Sequence, residues 1–202
     1  MHIQIRASEE QKAVLLEKNL NADFKISWYN NEIIEADAYI DLLFELENPA
    51  FVEVNEKPII VHALLKTGNQ LPNKYARINA WNGFLEKDKI ELATIHQDLK
   101  LQLETILKGL GFEVVFVPDI IGLVAPRAIS MIINEAYFGL EDEISSKKDI
   151  DTAMKLGTNY PFGPFEWAEK IGLSNIANLL IELAKTDTRY TPSTLLLKEA
   201  KL

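Results

Sequence analysis

Lys148–Trp167 reads KDIDTAMKLGTNYPFGPFEW, and its punctuation decides how the C-terminal part of the chain folds. Ser145 or Ser146, just upstream, suits a helix N-cap. Asp149 and Asp151 then fall near the positive end of that helix, and Gly157 reads as its close. Gly163-Pro164 opens another helix, because proline suits the first helical position. That helix ends near Gly172, and Ser174 caps the next, which runs through Leu180 and Leu183. Upstream, Val124 to Leu140 carries Ile129, Ile132, Ile133 and Ala136 on one helical face. Everything after Pro118 therefore reads as helix.

Before Pro118 the pattern alternates. Ile3–Arg6, Phe24–Tyr29, Ala38–Phe44, Pro58–Ala63, Tyr75–Trp81, Lys89–Ala93 and Phe112–Val117 read as strands. Ser8 caps a helix expected to run through Leu20, and Ile95 to Leu110 is a second helix closed by Gly111. Strands alternating with helices predict an α/β layer around a mostly parallel sheet. The expected organisation is an α/β domain over 1–118 and an all-α domain over 119–202, divided at Pro118–Asp119.

The 202 residues carry no cysteine, so disulfide and thiolate chemistry are excluded. His2, His62 and His96 are too scattered for a metal site. The net charge is -9, with 12 bases against 18 acids before residue 119 and 9 against 12 after it. Neither half is a nucleic-acid platform. Eight acids and no base lie between Lys25 and Lys57, which reads as a solvated acidic face. The start of the chain lacks a signal peptide's basic and apolar run, and Ile120 to Leu140 is broken by Pro126, Arg127, Asn134 and Glu135. A cytoplasmic protein without a membrane span is expected.

Asn134-Glu-Ala136, Asp149–Gly157, Tyr160-Pro161, Gly163-Pro-Phe-Glu166 and Ile171-Gly-Leu173, in that order, resemble the C-terminal helical domain of the 3-hydroxyacyl-CoA dehydrogenases. The resemblance implies a preceding Rossmann-like domain that binds NAD, an oxidoreductase of fatty acid metabolism, and a homodimer formed through the helical domain. The apolar face for that dimer is expected at the exposed ends of helices built on Ile171, Ile176, Leu179 and Leu183. In the family a histidine takes the proton of the 3-hydroxyl, a glutamate orients that histidine, and an asparagine and a serine hold the thioester.

Each part can be sought in this chain. The family's first strand runs into a Gly-x-Gly-x-x-Gly turn that lets backbone approach a pyrophosphate. Here that turn is Arg6-Ala-Ser-Glu-Glu-Gln11, without a glycine and with two acids. The second strand ends Trp28-Tyr-Asn-Asn31, without the acid expected for a ribose hydroxyl. Arg77-Ile-Asn-Ala-Trp-Asn-Gly83 resembles the family's Gly-Leu-His-Phe-Phe-Asn-Pro, which puts Asn79 at the histidine position and keeps Asn82. Glu91 follows Asn79 by 12 residues, as the orienting glutamate follows the histidine. An asparagine amide does not take up a proton near neutral pH. Asp119, Gly122 and Arg127 match the family's interdomain pattern, but Pro126 holds the asparagine position, tolerable if it falls in a helix's first turn. His62-Ala-Leu-Leu65 stands where the family has its serine-bearing turn; a lone histidine at a strand end reads as structural sooner than as a replacement base.

The N-terminal part is also shorter than the family's, as if trimmed of loops and helical connections. The expectation is a degenerate, Rossmann-like pseudoenzyme that has lost NAD binding and the catalytic histidine. It would act by binding an acyl-CoA-like ligand or a protein partner, with no cofactor. The candidate pocket residues are Asn79, Asn82, Glu91 and Arg127. The alternative is an active oxidoreductase on a 3-hydroxyacyl thioester, using a rearranged NAD site or a complementing subunit.

Overall fold

A computed structural model describes residues 1–72 and 74–202, which form two compact units, 1–123 and 124–202. Unit 1 runs β1 (His2–Arg6), α1 (Glu9–Leu16), β2 (Lys25–Trp28), β3 (Ala38–Asp41), β4 (Ile59–His62), β5 (Tyr75–Ile78), β6 (Lys89–Ala93), α2 (Lys100–Gly109) and β7 (Glu113–Phe116). The strands make one seven-stranded sheet in the order β2-β1-β3-β4-β5-β6-β7. All neighbours are parallel except β5 and β6. The chain reverses direction across the sheet at β1, so β1 and β3 flank a topological switch point. This is the Rossmann-like α/β layer expected, and an all-α unit follows it.

Alternation along the strands separates two cores. Ile3, Ile5, Ala38, Ile40, Ile60, Ala76 and Ile78 face α1 and α2, whose Leu15, Leu103, Ile106 and Leu107 complete that core. The intervening Tyr39, Ile59, Val61 and Tyr75 face the other way, where Tyr29, Phe44, Phe51 and Val54 from connecting segments cover them. One sheet face is thus roofed by helices and the other by aromatic loops. A parallel sheet needs both faces covered, and each fully buried aliphatic side chain contributes about 1.5–3 kcal/mol to that closure.

Local chemistry sets the helix ends. Ser8 caps α1 in a full capping box with Gln11. That helix stops at Leu16, short of the expected Leu20, because the chain turns so that Leu20 and Phe24 pack on the core. Gly111, at φ 87°, turns the chain from α2 towards β7. The predicted acidic face is not one solvated surface. Asp41 is buried, Glu45 accepts the Leu65 amide at 2.7 Å, and Glu47 pairs with Arg6.

The units divide after Leu123. Asp119 and Ile120 stay with unit 1 because buried Arg77 holds both, and the Gly122 amide donates to Leu64 O at 2.7 Å.

Unit 2 consists of α3 (Ala125–Glu141), α4 (Lys147–Thr158), α5 (Pro164–Ile171), α6 (Leu173–Ala184) and α7 (Thr194–Ala200). Its core joins Ile133 and Tyr137 of α3, Phe165 and Trp167 of α5, Leu179, Leu180 and Leu183 of α6, and Leu196 of α7. Several predicted ends move. Asn159, in the left-handed region at φ 56°, closes α4, so Gly157 is not its terminator. Gly172 is the N-cap of α6, and Ser174 instead donates to Ala200 O at 3.2 Å. Ile171, Ile176, Leu179 and Leu183 are all buried in the unit's own core, so they offer no apolar face to a second copy.

Ser146 and Asp149 cap α4 as expected, but Asp151 serves the next helix: its Oδ1 accepts the Phe165 amide at 2.8 Å. Gly163 is therefore glycine for space, not for φ, which is an ordinary -74°. A Cβ there would lie 2.2 Å from Asp151 Oδ1 and 2.4 Å from Asp151 Cβ. Gly163→Ala is expected to destabilise unit 2 by about 1–3 kcal/mol through that overlap. Urea unfolding followed at Trp167 measures it, and a loss below a few tenths of a kcal/mol would refute the steric reading.

Candidate functional site

In an open parallel sheet, ligands meet the carboxyl ends of the strands beside the switch point. In unit 1 that edge is formed by the residues ending β1, β3, β4 and β5. At β1 the first feature is Arg6. Its guanidinium pairs with Glu47, donates to Asn48 O at 2.6 Å, and reaches Asp41 Oδ2 at 3.4 Å. Tyr29 stands beside it, with its ring centroid 5.9 Å from the guanidinium carbon. Asp41 is buried, and its Oδ1 and Oδ2 also accept the Leu43 and Ala50 amides at 3.1 Å each. Burial pushes the Asp41 carboxyl up, against the backbone bonds and the Arg6 charge that favour ionisation.

The start of α1, where a dinucleotide fold offers free amides, is closed by its own side chains. Gln11 N donates to Ser8 Oγ at 3.2 Å, and Ser8 N to Gln11 Oε1 at 3.0 Å. Glu9 and Glu10 occupy the first turn, and Asn82 donates to Glu10 Oε2 at 2.9 Å. Asn82 thus serves the α1 terminus.

At the end of β5, Asn79 is buried at 3% exposure. Its Oδ1 accepts the Trp81 amide at 3.0 Å, a local turn bond. Its Nδ2 is buried and has no hydrogen-bond partner among the described residues. The antiparallel β5–β6 register pairs Arg77 with Ala93 and Ile78 with Leu92, and those are its two rungs. Asn79 and Glu91 lie one residue beyond the last rung, Asn79 past the end of β5 and Glu91 within β6.

His62, at the end of β4, is almost fully buried, and its Nδ1 accepts the Ala80 amide at 3.0 Å. That bond leaves the ring proton on Nε2, so the neutral ring has no lone pair to spare for a substrate proton. Burial pushes the imidazole down to about 4. No sequence pattern announces this bond, because its partners lie 18 residues apart, His62 at the end of β4 and Ala80 just past the end of β5.

Arg127 and Pro126 belong to unit 2. Pro126 lies in the first turn of α3, where its missing N–H costs nothing. Arg127 donates to Tyr190 Oη at 2.6 Å. Among the described residues, no group of three or more His, Asp or Glu is placed to hold a metal ion, and no helix is long and apolar enough to cross a membrane.

Comparison with known proteins bears on this geometry. Residues 122–201 match the family model of the 3-hydroxyacyl-CoA dehydrogenase C-terminal domain. The chain is 41% identical over 98 residues to a 3-hydroxyadipyl-CoA dehydrogenase of Escherichia coli, covering 48% of this chain and 21% of that protein. It is 28% identical over 173 residues to a 3-hydroxybutyryl-CoA dehydrogenase of Bradyrhizobium diazoefficiens, covering 83% of this chain and 58% of that one. It therefore spans between about a fifth and three fifths of these curated relatives. The crystal structure of an (S)-3-hydroxybutyryl-CoA dehydrogenase from Ralstonia eutropha superposes with a TM-score of 0.74 at 18% identity, over 98% of this chain and 92% of that one, which shows a shared fold. By the motifs matched over residues 122–201, the helical part of the chain belongs to the C-terminal domain of the 3-hydroxyacyl-CoA dehydrogenase family, and the chain shares the fold of that family's solved structures.

Proposed function

We propose that this chain is a family member that has given up dinucleotide chemistry and works by binding an acyl-CoA-like thioester. The observation that carries the proposal is the Arg6 cluster. At the switch point between β1 and β3, where a pyrophosphate would lie, a guanidinium is already tied to Asp41, Glu47 and a backbone carbonyl. The turn has no glycine, and Ser8 caps the Gln11 amide while the Gln11 side chain returns to the Ser8 amide. Glu9 and Glu10 would repel a pyrophosphate by on the order of 1 kcal/mol per close pair, even in water. These residues do not fit NAD, and no hydride step is assigned to them.

Asn79 supports the binding half of the reading. An unpaired buried amide costs about 1–3 kcal/mol, a cost removed when a carbonyl oxygen accepts from it. A thioester carbonyl is such an acceptor. Glu91, on β6, would then help shape the pocket. Homodimerisation through the helical unit belongs to the same proposal, on a surface other than the buried residues first expected.

A second reading keeps the oxidoreductase activity, with a partner subunit supplying the glycine turn and the base. It is favoured by the place of Asn79 and Glu91, one residue beyond the last rung of the β5–β6 ladder, at the positions where the resemblance sets the family's base and its orienting glutamate.

Thermal-shift titration with NADH, acetoacetyl-CoA and free CoA separates the readings. A ligand at a hundredfold its Kd stabilises by about 2.7 kcal/mol. Stabilisation by acetoacetyl-CoA without NADH is the expected result. A stoichiometric shift with NADH would sink the proposal and call for a dehydrogenase assay. No shift with any of them would move the search to protein partners.

A further inference from the structure

Two arginines in unit 2 converge on one phenol. Arg127, in the first turn of α3, and Arg189 each donate from Nη2 to Tyr190 Oη at 2.6 Å. Both guanidinium carbons also lie close to the Tyr190 ring, 5.1 and 4.7 Å from its centroid. The arrangement is built rather than incidental. Asn134, buried on α3, donates to Thr191 O at 2.9 Å and accepts the Ser193 amide at 2.8 Å. That clamp fastens the 188–193 segment to the helix that carries Arg127. Asp187 steadies Arg189 from its other edge, with Nε to Oδ2 at 2.9 Å. The Tyr190 ring is buried, while the Arg189 side chain is 64% exposed, so the pair is reachable from solvent.

A neutral phenol oxygen gives two guanidinium groups an acceptor but no charge. Burial pushes the Tyr190 phenol up, yet the bonds and charges of Arg127 and Arg189 outweigh it and hold the group below its ordinary value. The surroundings already favour negative charge on an oxygen at this spot. Arginine forks match the geometry of phosphate and carboxylate oxygens, and a phosphate monoester carries close to two charges for two forks. In a chain of net charge -9, such a cationic pair contrasts with its background.

We propose that Arg127, Arg189 and Tyr190 form a binding site for a phosphomonoester dianion on the helical unit. The site lies within unit 2 and does not depend on the thioester reading. Its ligand has two sources: free inorganic phosphate, or the phosphate end of a nucleotide-bearing molecule such as CoA.

Calorimetric titration of the full chain with inorganic phosphate at low ionic strength tests the site. CoA and 3′-dephospho-CoA are run in parallel. Phosphate is expected to bind, and Arg189→Gln to raise its Kd about tenfold, the loss of a charge-assisted hydrogen bond. The thermal midpoint of the unliganded variant should barely move, because the replaced side chain is exposed. Tyr190→Phe, which keeps both arginines, should retain phosphate binding within a few fold. Preference for CoA over its dephospho form, lost in Arg189→Gln, assigns the site to a nucleotide-bearing ligand. Equal binding of the two forms, with phosphate binding intact, assigns it to free phosphate. Absence of phosphate binding in the wild type, or the same affinity in Arg189→Gln, overturns the proposal. The arginines would then serve only to order Tyr190.

Discussion

Replacing Arg77 with alanine is expected to destabilise unit 1 by about 3–5 kcal/mol, the usual cost of removing one partner from a buried ion pair. Arg77 is fully buried. Its Nε donates to Asp119 Oδ1 at 2.7 Å, and its Nη atoms donate to Ala63 O at 3.0 Å, Ile120 O at 3.1 Å and Lys66 O. One side chain therefore ties the segments after β4 and β7 to the middle of the sheet. Its loss strands a carboxylate and three carbonyls, and it removes a charge that favours ionisation of the half-buried Glu45. Urea unfolding, with Trp28 and Trp81 reporting on unit 1 and Trp167 on unit 2, measures the effect. Restoring part of the lost stability by Asp119→Leu in an Arg77→Met background would identify the stranded carboxylate as the main cost. A loss of under about 1 kcal/mol in Arg77→Ala would show that water replaces the guanidinium, contrary to its burial.

The second large effect is a pH dependence owed to His62. The folded imidazole is pushed down to about 4, against an ordinary 6.5 in the unfolded chain. The unfolded chain therefore takes up a proton that the folded one refuses. Stability from this group is full above about pH 6.5 and is lost as pH falls towards 4. A shift of that size corresponds to about 3 kcal/mol. Asp41 and Glu45, both raised by burial, contribute in the opposite sense at low pH, so the comparison must be differential. The stability of wild type minus that of His62→Gln, measured by urea titration from pH 7.5 to 4, should fall through that window. A flat difference would mean that the ring protonates inside the fold and the Ala80 bond gives way without cost.

Much of the fold is legible in the residues because local chemistry repeats there. The Ser8 capping box, the Ser146 cap, Pro164 at a first helical turn and the turn at Gly111 all act within four residues of themselves. Misreadings arise where a residue serves a distant element. Asp151 reads as a helper of its own helix but holds the next one; Ser174 reads as a cap but reaches Ala200. Ile171, Ile176, Leu179 and Leu183 read as an apolar surface but are core, since periodicity shows that a face is apolar and not what covers it.

The candidate site divides the same way. Sequence alone supplied the residues on which the resemblance is argued: a turn from Arg6 to Gln11 without glycine, an asparagine at position 79 and a proline at 126. These are facts of residue identity, which folding does not change. Tertiary structure alone decided what the remaining side chains do. It tied Arg6 into the switch point, spent His62 on Ala80, and drew Arg127 and Arg189 to one phenol. Each of these joins residues from 18 to 63 positions apart, except the neighbouring Arg189 and Tyr190. Hydrogen bonds reach about 3 Å, and only the packed chain brings such residues within that range.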